Sequence, residues 1–294
     1  MVLALIIKKY TGDDEMIQDI YPHIYRNEYT PKKPKKESFV CIYQGREVLL
    51  KDCEKIIFPT IAELEEYDAT VSEKCTYLFT IDQQSFYLLE SLEKEVKGFC
   101  WKNTEMFRRL KPQYLAFAGI TGCQLYRWYQ SHKFCGRCGK EMVQDTKERM
   151  LKCKNCGQME YPKISPAVIV GVTDGNRLLM SKYADREYKK YALIAGYTEI
   201  GETIEETVKR EVMEEVGLKV KNIRFYKSQP WSFTDTLLLG FFAELDGEDK
   251  ITLDREELAL AEWFERENIP ITEKNISLTN EMILHFKEEK NIDI

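Results

Sequence analysis

A chain of 294 residues, 44% hydrophobic and 31% charged with a formal net charge of −6, has room for two domains and a good core. The acidic balance gives no general reason to expect a nucleic-acid coat or a membrane surface. The N-terminal apolar run, six residues after Met1 closed by Lys8 and Lys9, is too short for a signal segment or a membrane span.

That run reads as a first β-strand. Up to about residue 110, short apolar runs at 39–43, 47–50 and 75–81 alternate with polar turns, which implies a small N-terminal α/β domain at 1–110. The PKKPKK segment at 31–36 is proline-punctuated and basic, an exposed loop. His23 is the only histidine here, and a lone histidine is usually structural or exposed. Residues 112–132 read as a helix despite two internal glycines, leading into a second segment at 111–160. Outside that segment's two cysteine pairs and the helix cysteine Cys123, Cys41, Cys53, Cys75 and Cys100 are scattered. With Cys123 they are odd in number, as free thiols in a reducing cytoplasm would be.

The pairs are Cys135-Gly-Arg-Cys138 and Cys153-Lys-Asn-Cys156, 14 residues apart, each followed by a glycine that lets backbone N–H groups turn toward the sulfurs. Four thiolates at this spacing describe a closed tetrahedral Zn²⁺ site, structural rather than catalytic, with a redox dithiol as the minor alternative. Zinc is expected to hold residues 133–158 together, because so short a segment has few apolar side chains. Residues 127–154 carry eight Lys/Arg against three Asp/Glu. Balance of the zinc–thiolate charge explains this more simply than an RNA contact, which stays open.

A third segment, 161–294, opens at Tyr161-Pro162. Apolar runs at 167–172 and 177–182 flank Asp174-Gly175-Asn176, a hairpin signal. Next comes GYTEIGETIEETVKREVMEEVGL at 196–218. Thr203 and Glu206 form a capping box, and Gly217 stands where a left-handed helix end is expected. Ile204, Val208, Val212 and Val216 recur every fourth residue as a packing stripe. Glu211, Glu214 and Glu215 share one face. Like charges at that spacing repel, whereas a hard divalent cation turns them into ligands. Downstream, Thr236–Leu245 reads as a buried strand, 262–264 as a short one and Leu278–Glu288 as a closing helix.

Gly196, Glu202, Arg210, Glu211, Val212, Glu214, Glu215, Gly217 and Leu218 fill every fixed position of the Nudix box, and the chain resembles the Nudix hydrolases. A bare acidic surface helix would not meet nine specified positions. The resemblance implies an α/β/α sandwich with a mixed sheet, an α+β or α/β architecture behind the four-cysteine zinc ribbon. Ser228-Gln229-Pro230-Trp231-Ser232-Phe233 is similar to the S-Q-P-W-P-F-P-x-S array of the NADH pyrophosphatase branch. The ribbon and the Tyr161-Pro162 start belong to that branch too. Ser232 and Thr234 replace the array's later prolines and Thr236 its last serine, changes that loosen the loop.

The resemblance implies that Glu211, Glu214 and Glu215 hold Mg²⁺ or Mn²⁺ against a pyrophosphate, with Arg210 orienting them and Glu202 structural. It puts Glu244 in the place of a further metal ligand or base. Tyr161, Tyr197, Gln229, Trp231 and Phe233 become substrate contacts, and the tyrosine of a partner subunit in a homodimer completes the site. The expected activity is hydrolysis of NADH or NAD⁺ to AMP and nicotinamide mononucleotide, with removal of NAD caps from RNA as a related one. An ADP-ribose or other nucleoside-diphosphate-X hydrolase, or a non-catalytic zinc-ribbon RNA-binding protein, are the alternatives.

Overall fold

Alternating burial in the strands after residue 165 places apolar side chains on both faces of one sheet. The computed structural model describes residues 16–52, 54–92, 96–184, 190–271 and 275–288. The expected strand in the first seven residues, and Cys53, lie outside them. The chain divides into two compact units, one of Ile17–Ile164 with Ser232–Asp235, the other of Met16, Ser165–Trp231 and the chain from Thr236 on.

In the first unit, β1 (Tyr25–Arg26), β5 (Thr76–Ile81), β6 (Gln84–Leu88) and β2 (Phe39–Cys41) form one sheet in that order. A second sheet joins β3 (Tyr43–Gln44), β4 (Glu47–Leu50) and β7 (Cys100–Asn103). Helices α1 (Ile61–Glu65) and α2 (Val71–Lys74) close a core of Val40, Ile42, Leu49, Ile61, Leu64 and Val71. The helix expected at 112–132 is α3 (Gln113–Ser131). Its two glycines are there for close approach: a Cβ on Gly119 would fall 2.2 Å from the Phe107 ring, and one on Gly122 would fall 2.6 Å from the Tyr43 hydroxyl. The 31–36 loop is largely exposed, and His23 bonds Asp82 and stacks on Tyr114. One expected free thiol is not free. Cys100, in β7 opposite Leu50 of β4, is disulfide-bonded.

The same unit carries a three-stranded ribbon, β8 (Met142–Gln144), β9 (Leu151–Cys153) and β10 (Met159–Glu160). The first two segments expected from the sequence thus lie in one compact unit.

In the second unit, β11 (Ser165–Asp174) and β12 (Arg177–Tyr183) form the expected hairpin. They are joined by β13 (Ile194–Tyr197), α4 (Ile204–Val216), β14 (Val220–Trp231), β15 (Thr236–Leu245), β16 (Leu258–Glu265) and α5 (Leu278–Glu288). The strand order is β14-β15-β11-β12-β16, with β13 also on β11. β11 and β15 are parallel and the other pairs antiparallel, so the sheet is mixed. Val168, Val170, Val172, Leu179, Phe241 and Ala243 point toward Val208, Val212 and Val216 of α4. Their neighbours Ile169, Leu178, Met180 and Phe242 point the other way, toward Leu278, Met282, Ile283 and Phe286 of α5. Period 2 in the strands and period 3.6 in the helices give the α/β/α sandwich.

Candidate active site and metal centre

Helix α4 starts and ends as its sequence dictates. Thr203 and Glu206 make a reciprocal capping box, and Gly217 terminates it at φ 69°. With the valine stripe at zero exposure, rotation about the helix axis is fixed, and Glu211, Glu214 and Glu215 are presented together. Arg210 organises them. Its Nε and Nη2 donate to Glu202, Nη1 donates to Glu211 at 2.7 Å and to Glu214 at 2.9 Å, and Nη2 also donates to the Tyr197 carbonyl at 2.9 Å. The planar fork therefore ties three carboxylates and a carbonyl into one plane of donors. Glu202, which also accepts from the Glu199 N–H and the Thr207 hydroxyl, is held down at about 2, chiefly by its Arg210 hydrogen bond. Glu211 goes the other way: burial raises it, Arg210 lowers it, and the like charges of Glu214 and Glu257 raise it again. Glu215 is buried at 2% exposure, and Glu214 has a side chain 58% exposed. Carboxylate oxygens are the hard donors a divalent cation takes, but among the described residues only the four cysteines stand close enough together to share one ion as placed.

Gly196 fits beneath this set. A Cβ there would lie 2.0 Å from the Glu211 carboxyl carbon. Gly196→Ala is expected to displace Glu211 and lower the kcat of the hydrolysis proposed below by about 10²-fold, as ångström-scale misplacement does. A melting temperature within a few degrees of wild type would confine the effect to the site, and unchanged turnover would show that Glu211 is not needed where it stands.

Glu244 does not join the carboxylates of α4. Glu244 lies on β15 in phase with Gly240 and Phe242, which face α5, and so on the side of the sheet away from the α4 stripe. It accepts from Asn222 (2.7 Å) and Arg224 (3.1 Å). Glu257, just before β16, is near enough for its charge to add a small upward push on Glu211. The segment before β16 is docked on the end of α4, with the Asp254 N–H on the Glu215 carbonyl and the Thr252 N–H on the Val216 carbonyl, both at 2.9 Å. The acidic run Asp254-Arg255-Glu256-Glu257 was the available signal.

The candidate substrate contacts separate. Tyr197 is 53% exposed, its hydroxyl 3.4 Å from Thr236, and Trp231 pairs with Thr236 at the same end of the sheet. Gln229 is fully buried: its amide N–H donates to the Ile276 carbonyl and its amide oxygen accepts the Leu278 N–H, so it fixes the start of α5. Phe233 and Tyr161 belong to the first unit. One face of the Phe233 ring is taken by Arg108, and the Tyr161 hydroxyl donates to Glu148. The turn bearing Ser232 and Thr234, expected to be loose, is tied through Asp235 and Ser232 to Arg127.

The sulfurs of Cys135, Cys138, Cys153 and Cys156 all lie within 4.8 Å of one another, with two pairs at 3.5 Å. A tetrahedral site with Zn–S of about 2.3 Å sets its sulfurs about 3.8 Å apart, so the four fit such an ion. Gly139 and Gly157, at φ 70° and 75°, turn both knuckles back on themselves in the same way. No helix among the described residues is long and apolar enough to cross a membrane.

Residues 163–284 match the NUDIX domain, and residues 130–161 match the NADH pyrophosphatase zinc ribbon domain. Residues 163–284 are a Nudix domain. Among curated proteins it is 41% identical over 150 residues to the NAD-capped RNA hydrolase NudC of Shigella dysenteriae serotype 1 and to that of Escherichia coli K12, a match of 51% of this chain and 58% of each relative. The chain thus spans somewhat over half the length of these relatives. Among solved structures, a NUDIX hydrolase from Nitrosomonas europaea aligns with TM-score 0.46 at 24% identity, covering 53% of this chain and 91% of that one. Glu211, Glu214 and Glu215 lie within the segment that matches the NUDIX domain, and the four cysteines within the one that matches the zinc ribbon domain.

Proposed function

We propose that the chain hydrolyses the pyrophosphate bond of NADH or NAD⁺, giving AMP and nicotinamide mononucleotide, and removes NAD caps from RNA 5′ ends by cutting the same bond. The observation that carries this reading is the NADH pyrophosphatase ribbon directly preceding a Nudix domain in one chain. The named activity of the 41%-identical relatives supports it.

Glu211, Glu214 and Glu215 with Glu257 supply oxygen ligands for Mg²⁺ or Mn²⁺, and the four cysteines hold structural Zn²⁺. A divalent ion held there would supply Lewis-acid charge against the pyrophosphate oxygens and would help activate the attacking water. Arg210 keeps the carboxylates aligned without touching substrate. Tyr197 and Trp231, at one end of the sheet, offer ring faces to a nucleotide. Tyr161 of a partner copy completes that pocket in a homodimer, and the free thiols of Cys41, Cys75 and Cys123 suit a cytoplasmic setting.

Product analysis of the zinc-loaded protein with NADH, NAD⁺ and ADP-ribose, each with Mg²⁺ and with Mn²⁺, tests the reading. AMP and reduced nicotinamide mononucleotide, formed fastest from NADH, are expected. Faster cleavage of ADP-ribose would assign the altered array, with Ser232 and Thr234, to another nucleoside diphosphate. No cleavage of any of them would leave a zinc-ribbon RNA-binding protein.

A further inference from the structure

Arg127, near the end of α3, holds both ends of the turn that joins β14 to β15. Its guanidinium pairs with Asp235, the last turn residue, through Nε at 3.2 Å and through Nη2, and Nη2 also donates to the carbonyl of Ser232, the first. Nη1 rests 3.1 Å from the Cys123 sulfur. Both partners are largely withdrawn from water, with side chains 32% and 26% exposed. Between them, Phe233 lies under the Arg108 guanidinium at 4.0 Å.

This turn needs holding. Ser232 and Thr234 leave φ free where proline would fix it, so ordering the turn costs chain entropy. Asp235 adds a left-handed backbone, φ 58°, which a non-glycine residue keeps only where its surroundings enforce it. The turn is flanked by Trp231 and by Thr236, whose hydroxyl meets Tyr197. A shift of the turn therefore shifts the aromatic end of the sheet.

We propose that Arg127 is a positioning residue for the nucleotide: acting through Asp235 and Ser232, it keeps Trp231 in the orientation that stacks a substrate ring. It contacts no reacting atom. This inference rests on the dinucleotide reading given above.

The test uses the full-length zinc-loaded chain with Arg127→Ala, Arg127→Lys, Asp235→Asn and the Arg127→Ala/Asp235→Asn double variant. Hydrogen exchange over residues 228–236 and steady-state kinetics with NADH and Mg²⁺ are measured. Where the binding-competent turn falls to about a tenth of the population, apparent affinity falls about tenfold. Arg127→Ala and Asp235→Asn are each expected to raise KM about tenfold with kcat within about twofold. Exchange should be faster at 228–236 and unchanged in α4. The double variant should be no worse than the worse single one, as for two ends of one interaction. Arg127→Lys, with a point charge and no fork, should fall between Arg127→Ala and wild type. Unchanged exchange at 228–236, fully additive effects, or a fall in kcat at constant KM would each overturn the proposal. Should Arg127→Ala not fold, Asp235→Asn decides alone, since asparagine tolerates the left-handed backbone. A wild-type chain that cleaves no dinucleotide would sink the function reading, and the exchange arm would still decide whether Arg127 holds the turn.

Discussion

Glu215→Gln is expected to lower kcat for NADH cleavage about 10³-fold, near the upper end of what removal of one preorganised electrostatic group costs. The substitution keeps shape and removes charge. Glu215 is buried at 2% exposure beside the valine stripe, where little water screens its interaction with a bound cation. Arg210 is committed to Glu202, Glu211 and Glu214. A divalent ion held by the α4 carboxylates draws on the Glu215 charge, and glutamine does not supply it. Melting temperature should be unchanged or slightly raised, because a buried like charge beside Glu211 and Glu214 is removed. Glu257→Gln should lower kcat by about 10²-fold or more for the same reason. Glu244→Gln is the contrast: kcat within about twofold and a stability loss of about 0.5 kcal/mol or less, as for a part-exposed pair. Normal turnover in Glu215→Gln would end the metal-hydrolase mechanism. A loss in Glu244→Gln with normal Glu257→Gln would reverse the assignment of the fourth carboxylate.

The place of Glu244 shows where the sequence stops being legible. Local grammar carried α4, its caps and its stripe, because each of those signals lies within four residues of its partner. Strand β15 and helix α5 were equally legible, being long and uniform in period. Period 2 in LLLGFFAEL does put Glu244 in phase with Gly240 and Phe242. Both faces of that strand are apolar, however, and nothing in the run says which one meets α4. Glu257 comes from a non-periodic segment that reaches α4 only through main-chain bonds to Glu215 and Val216. Gln229 looked like a substrate contact because it stands in the array, while its partners at the start of α5 are 47 and 49 residues away. Arg127 and Asp235, 108 apart, are beyond any spacing rule. The long strand β14 went unread because its burial is irregular and its register with β15 shifts twice.

Removing the metal from the ribbon is expected to abolish hydrogen-exchange protection across residues 133–160 while the core of the same unit stays folded. Apart from cysteines, that stretch buries only Met142 and Leu151 among its described residues. Two such side chains contribute roughly 2 to 3 kcal/mol each, whereas ordering the backbone costs about 1 kcal/mol or more per residue. Four-sulfur ligation must supply the difference, and structural zinc contributes about 10 kcal/mol or more in isolated ribbon-sized folds. The Val40–Ile42–Leu49 core and α3 have their own packing and should keep slow exchange. Contacts from the ribbon into that packing, the Gln144 amide on Thr76 and Arg149 on the Leu78 carbonyl, should go with it. Cys138→Ser and Cys153→Ser should each mimic chelation and reduce bound zinc from about one per chain toward zero, as loss of a ligand from a closed four-coordinate site requires. If a chelated, zinc-free chain keeps full protection at 133–160, the four cysteines are not what holds the ribbon, and the redox-dithiol alternative regains its place.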